Sequence, residues 1–165
     1  MQCYRYDLRF PKMSFSVFGK DRVVYAVAFH GDNFDATVEK IESHFDEVLP
    51  GSNKDDIPKS FEKYMEFGCF HPQLEPVYLW GSKFQRQVWK EITNIPFGEI
   101  VLYADIALNI GNDLAYRAVG RAVGANPIPI LVPCHRVVAF SNIGGYTGGV
   151  ELKRELLKIE GVLPG

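Results

Sequence analysis

The chain is poor in cysteine, in net charge and in long apolar runs. Its three cysteines (Cys3, Cys69, Cys134) are odd in number and far apart, which argues against a disulfide framework and for a reducing compartment. No apolar run is long enough to span a bilayer. The opening residues, with Arg5, Asp7 and Arg9 among them, do not read as a secretory signal. Neither a membrane partner nor an obligate protein partner is expected. Metal-ligating residues are scarce as well. Cys3, His30, Cys69 and His71 lack the paired spacing of a structural zinc site, so no metal and no cofactor is expected. A net charge of −2 does not look like a nucleic-acid binder, but the halves differ. Up to Trp80 there are nine Lys and Arg against thirteen Asp and Glu, a net −4; from Gly81 onward nine face seven, a net +2. Nucleic acid, if bound, belongs to the second half, through few phosphate contacts.

What is present is a globular composition, with 47% hydrophobic and 23% charged residues in 165, enough for one ordinary domain or two small ones. Tyr4 to Phe10, Ser14 to Phe18 and Val23 to Phe29 read as a small antiparallel meander punctuated by Gly19-Lys20-Asp21. Val38, Ile41, Phe45 and Val48 mark one face of a helix over 35–48. A second helix runs over 58–67, with Pro58 in its first turn and Gly68 as its stop. Residues 71–78 contain Pro72 and Pro76 and read as a linker. The expected organisation is a supporting domain at 1–78 and a second domain at 79–165, an α+β fold whose second part is mostly helical.

In that second part Ser82 and Gln85 make a capping box. Phe84, Val88, Ile92 and Ile95 follow as the buried face of a helix. Two short helices come next, 104–110 and one toward Ala125 capped by Asn112 or Asp113, with Gly111 at the corner: a helix-turn-helix candidate. One face of the second helix carries Ala115, Val119, Ala122 and Val123. Another carries Arg117, Gly120, Arg121 and Gly124. Interior helical glycines cost about 1 kcal/mol each against alanine. Tight packing on another helix and close approach of a bulky anion such as DNA both account for them. A last helix runs over 151–160, with Leu152, Leu156 and Ile159 inward and Gly161 as its stop.

The organising stretch is Val132-Pro133-Cys134-His135-Arg136-Val137. The apolar run before it and the β-branched pair after it read as a buried strand, interrupted where Pro133 removes a donor. An inert buried thiol and a reactive one both fit Cys134, and an adjacent His and Arg favour the thiolate. Ser141 to Gly149, with four glycines around Tyr146 and Thr147, makes a loop whose amides can approach a flat ligand.

Over residues 84–162 the sequence resembles the O6-alkylguanine-DNA alkyltransferases, the methylated-DNA–protein-cysteine methyltransferases. The likeness is carried by Phe84-Gln85 with Val88-Trp89, Ile95-Pro96-Phe97-Gly98, Tyr103, Ile106-Ala107, Arg117-Ala118-Val119-Gly120, Asn126-Pro127, Pro133 to Val137, Gly145-Tyr146 with Gly148-Gly149, and Lys153 with Leu156-Leu157 and Glu160. The resemblance implies an RNase H-like first domain and a winged-helix-like second one. It implies single-turnover repair of O6-alkylguanine, and of O4-alkylthymine, by transfer of the alkyl group to Cys134. His135 and Glu160 would activate the thiol through a water, and Tyr103 would protonate the leaving base. The helix with Tyr116, Arg117, Ala118, Gly120, Arg121 and Gly124 would enter the minor groove of double-stranded DNA, Arg117 filling the space of the swung-out nucleotide. Tyr103, Asn126, Pro129, Val137, Tyr146, Thr147 and Gly148 would shape the base pocket. A monomer in the cytoplasm, or in the nucleus of a eukaryote, is expected.

Two departures stand out. Thr147 replaces a serine common in the family, which narrows the pocket toward small alkyl groups. Gly124-Ala125 replace a frequent basic residue, and Arg121 can supply that charge one turn earlier. A lesion-flagging relative without the cysteine is disfavoured by Cys134. A helix-turn-helix regulator is disfavoured by a recognition face with only Arg117 and Arg121. A cysteine hydrolase would turn over repeatedly on esters or peptides.

Overall fold

A computed structural model of the chain describes residues 1–164, which fall into two compact units, Met1–Leu79 and the part from Trp80 onward. The first unit is built on β1 (Gln2–Phe10), β2 (Met13–Lys20) and β3 (Val23–Phe29), paired antiparallel in sequence order. Two shorter strands extend it. β4 (Glu47–Pro50) lies parallel to β1 and β5 (Glu75–Pro76) lies parallel to β3, giving the order β4-β1-β2-β3-β5. The sheet is therefore mixed, where the sequence pointed to an antiparallel one. The central strand β2 buries Phe15, Ser16, Val17 and Phe18 completely, so both of its faces are covered. α2 (Asp56–Phe67) supplies one cover, with Phe61 against Phe15 at 5.5 Å. α1 (Phe34–Glu42) supplies the other, with Phe34 meeting His30 edge-on at 4.8 Å.

Two expectations fail here for the same reason. The helix predicted over 35–48 ends at Glu42, because Ser43 and His44 turn the chain and Val48 joins the open edge of β1 opposite Cys3. Residues 71–78 are not a bare linker, because Glu75 and Pro76 pair with Val23 and Val24 at the other edge. In both cases unsatisfied backbone groups at a sheet edge capture a segment whose own residue pattern does not announce a strand.

The second unit holds α3 (Lys83–Thr93), α4 (Tyr103–Asn109), α5 (Tyr116–Gly124) and α6 (Val150–Ile159), with β6 (Val101–Leu102) and β7 (Val137–Val138) as a two-stranded parallel piece. The capping box opens α3 as expected: Gln85 N–H donates to Ser82 Oγ at 3.1 Å, and Ser82 N–H donates to Gln85 Oε1 at 2.9 Å. α5 starts later than the caps Asn112 and Asp113 suggested, since residues 112–115 close a turn, with Ala115 N–H on the Asn112 carbonyl. Trp89 of α3 is wholly buried and donates Nε1–H to the Ala122 carbonyl at 2.7 Å, tying α5 to α3. No helix among the described residues is long and apolar enough to cross a membrane.

Candidate active site

The stretch before Cys134 is not a strand. Asn126 organises it instead. Its Oδ1 accepts from Ile128 N–H at 3.0 Å and its Nδ2 donates to the Val132 carbonyl at 2.9 Å. Val132 N–H in turn closes on the Ile128 carbonyl at 2.9 Å. Pro127 and Pro129 cannot donate to a ladder, and Ile130 adopts a φ of 74°, which no strand tolerates. The apolar side chains are buried as a strand's would be, but in a coiled turn. Cys134, His135 and Arg136 then form one 3₁₀ turn, and only Val137 and Val138 pair, with Val101 and Leu102. That pairing ties the segment after the cysteine to the one leading into Tyr103.

Cys134 is only 3% exposed, and what exposure it has opens on a hollow of about 310 Å³. Tyr103, Gly120, Val123, Tyr146 and Thr147 share its wall. The size is at the low end for sites that enclose small organic ligands. Burial pushes the Cys134 thiol up to about 11, against hydrogen bonds from Asn126 and Tyr146 and the charge of Lys153. The sulfur is therefore protonated near neutrality and needs a base.

A histidine stands next in sequence. His135 is completely buried, and its Nε2 lies 2.5 Å from Glu160 Oε2. Glu160 sits at the C-cap of α6, where the helix dipole opposes a carboxylate. Arg136 offsets this with a fork: Nε to Oε1 at 2.7 Å and Nη2 to Oε2 at 3.0 Å. A third arm, Nη1, holds the Ile95 carbonyl at 2.6 Å. A carboxylate on Nε2 fixes the neutral tautomer with its hydrogen there, so Nδ1 is the nitrogen that can take a proton. Burial keeps His135 below its ordinary range, with the Glu160 carboxylate opposing.

A further cation lies at the site. Lys153 is completely buried, donates Nζ–H to the Val137 carbonyl at 2.6 Å and the Gly145 carbonyl at 3.1 Å, and stands 5.9 Å from the centre of the Tyr103 ring. Burial lowers it to about 8, with the Cys134 thiolate opposing. Gly144, at φ 78°, packs beneath these two groups: a Cβ there would lie 2.8 Å from the Tyr103 hydroxyl and 3.3 Å from Lys153 Nζ. Burial also raises the Tyr103 phenol, with the charge of Cys134 adding to it.

Of the residues the sequence nominated for the pocket, Tyr103, Tyr146 and Thr147 line the hollow, and Gly120 and Gly124 of α5 lie at it too. Asn126, Pro129, Val137 and Gly148 are not on its wall. Asn126 acts on the thiol and the turn, and Val137 offers its carbonyl to Lys153. Tyr116, Arg117 and Arg121 are exposed on α5, with the Arg117 guanidinium 5.8 Å from the centre of the Tyr116 ring, and Ala118 is half-buried beside them. Added Cβ atoms at Gly120 and Gly124 would meet nothing within 4 Å. Helix packing therefore does not account for these glycines. Four residues at the site were not nominated for it. Val123 reads from sequence as plain core, Gly145 as part of the glycine-rich loop, Lys153 as one of the residues that carry the resemblance, and Arg136 as a neighbour that favours the thiolate. Only the fork on Glu160 and the burial of Lys153 give the last two their meaning.

Residues 83–162 match the family described as 6-O-methylguanine DNA methyltransferase, DNA binding domain. A probable methylated-DNA–protein-cysteine methyltransferase of Acanthamoeba polyphaga mimivirus is 60% identical over 80 residues, 48% of this chain and 54% of that protein. The Haemophilus influenzae methylated-DNA–protein-cysteine methyltransferase is 40% identical over 121 residues, 71% of this chain and 65% of that protein. The chain thus matches about half the length of the first of these relatives. Solved structures extend the likeness over nearly all of it. Mycobacterium tuberculosis O6-methylguanine methyltransferase superposes with a TM-score of 0.81 at 32% identity, over 99% of this chain and 96% of that one. The Mycobacterium tuberculosis protein in complex with DNA gives 0.82 at 32%, over 96% and 93%.

Proposed function

Because the chain belongs to the O6-methylguanine-DNA methyltransferase family, we propose that it repairs DNA directly, moving the alkyl group of O6-alkylguanine, and of O4-alkylthymine, onto Cys134. The observation that carries this reading is a buried sulfur on the wall of a small hollow, backed by the buried His135–Glu160 pair that Arg136 holds.

The chemistry is a displacement at carbon. His135 Nδ1 takes the Cys134 proton through a bridging water, with Glu160 holding the ring's tautomer and steadying the imidazolium. The sulfur forms a bond to the alkyl carbon as the carbon–O6 bond breaks. The base leaves with that electron pair and gains a proton from the Tyr103 hydroxyl. Lys153 faces the Tyr103 ring and bears on the Cys134 charge, so it favours both anions that form transiently. Atoms balance as thiol plus alkylated base giving thioether plus guanine. A thioether does not hydrolyse, and Cys3 and Cys69 lie in the other unit, so each molecule reacts once.

The target atom is inside a duplex and must leave the stack. The open glycines of α5 admit the DNA backbone close to the hollow, and Arg117 occupies the vacated space. The bound relative from Mycobacterium tuberculosis supports DNA as the partner. On this reading the second unit is a winged-helix-like reader of the minor groove, the first an RNase H-like support, and the protein a monomer. The test is a titration of duplex DNA containing O6-methylguanine. Lesion loss that stops at one per protein molecule is expected; continued turnover contradicts the reading.

A further inference from the structure

The first unit carries a second cluster of polar side chains. Strand pairing assembles it. Arg5 lies opposite Phe18, Asp7 opposite Ser16 and Arg9 opposite Ser14, and His30 N–H bonds the Ser14 carbonyl at 3.1 Å. Directly opposed residues share a face of a sheet, so all of these project to the side covered by α1. They form one chain of hydrogen bonds. Ser16 Oγ donates to Asp7 Oδ1 at 2.5 Å and stands 3.0 Å from His30 Nε2; His30 Nδ1 stands 2.8 Å from Ser14 Oγ. The single hydroxyl hydrogen of Ser16 goes to Asp7, so Ser16 accepts from Nε2–H. With the ring neutral, Nδ1 must then accept from the Ser14 hydroxyl.

The charges around this chain are unequal in use. Arg5 is matched by Asp7, Nε to Oδ1 at 2.9 Å, and its guanidinium is stacked near Phe18 and Phe34. Arg9 is exposed and makes no ion pair or hydrogen bond among the described residues. Arg9, Ser14 and His30 line an open cleft of about 400 Å³ together with Arg5, Asp7 and Asp35. Two carboxylates line it: Asp7, which is engaged by Arg5 and Ser16, and Asp35. Burial holds His30 below its ordinary range, Arg9 and Arg5 push the same way, and Asp7 opposes them.

We propose that this cleft binds the phosphate group of a small monoester, held by Arg9, Ser14 and a protonated His30. The unmatched guanidinium provides the charge. Proton uptake provides the switch. Once Nδ1 carries a hydrogen it donates to Ser14 Oγ, and the Ser14 hydrogen is released to face the cleft. A dianion then meets Arg9, the imidazolium through Ser14, and a hydroxyl donor. A phosphodiester carries one charge fewer and no longer balances both cations, which separates a monoester from a DNA backbone. The inference is independent of alkyl transfer, which uses the other unit.

The test follows the His30 ring by NMR in the full chain from about pH 5 to 8, at constant ionic strength. The probes are inorganic phosphate, glycerol phosphate, a short unmodified oligonucleotide, and chloride alone. Either phosphate is expected to raise the His30 midpoint by about one pH unit, a tenfold preference for the protonated form. The oligonucleotide and chloride are expected to leave it in place. In Arg9→Ala, an exposed change that spares the fold, the phosphate effect should vanish. An unmoved midpoint, an equal effect of chloride, a response to the oligonucleotide alone, or an undiminished effect in Arg9→Ala overturns the proposal.

Discussion

Two side chains at the site have their ionisation set against their surroundings, and both make sharp predictions. Cys134 is a thiol up to about 11, so two proton routes give different pH profiles. A preformed thiolate would make the rate climb about tenfold per pH unit across the whole neutral range. Removal by neutral His135 gives a plateau instead. Burial lowers His135, so the plateau should reach below the ordinary histidine value of about 6.5 before the rate falls with acid. Single-turnover alkyl transfer at saturating DNA distinguishes them; a steady climb through pH 8 rules out the histidine route. Lys153 carries a second prediction. Lys153→Met keeps the stem but leaves the Val137 and Gly145 carbonyls without their donor. Val137 is buried and Gly145 exposed, and an unsatisfied buried carbonyl costs about 1–3 kcal/mol, so urea melts should show a loss of about 1–3 kcal/mol. Alkyl transfer should slow more than the unfolded fraction explains. Unchanged stability would mean that the ammonium gains nothing from its two carbonyls.

At the level of the element, α5 sets stability against binding. Gly120 sits mid-helix with nothing within 4 Å of an added Cβ, so Gly120→Ala should stabilise the free protein by up to about 1 kcal/mol. The same methyl should weaken binding of a lesion-bearing duplex, read by fluorescence anisotropy. A variant that gains stability and binds as before removes the reason given for the glycine. Arg117→Ala should reduce repair in duplex DNA far more than reaction with the free alkylated base, which is what the extrusion role proposed for Arg117 requires. Equal losses on both would reverse that assignment. Elements with a strong local signature were legible in the sequence: the capping box at Ser82, the left-handed stops at Gly68 and Gly111, the two faces of α5. What failed was strand against turn in residues 128–132 and helix against strand at Val48. Both segments are apolar, and burial alone does not fix backbone conformation. The bonds from Asn126 and the open edge of β1 fix it, and neither partner lies where periodicity can show it. The site was legible in its residue types, since Cys134, His135, Glu160 and Tyr103 were all nominated. The fork from Arg136 and the buried placement of Lys153 were not, because both depend on distances between segments far apart in sequence.

For the molecule as a whole, the net −4 before Gly81 and +2 after it now coincide with two folded units. The acidic half holds the sheet and the basic half holds Cys134 and the exposed arginines of α5. A modest positive charge suits a reader that binds DNA without sequence preference and relies on shape at one helix. The account rests on one sulfur accepting carbon permanently. The most direct test is intact mass followed by peptide mapping after incubation with duplex DNA containing O6-methylguanine. The account expects one methyl group in place of the thiol hydrogen, found on Cys134, and no change in Cys134→Ala. A protein that removes the lesion while its mass stays constant, or that carries the methyl on Cys3 or Cys69, contradicts it.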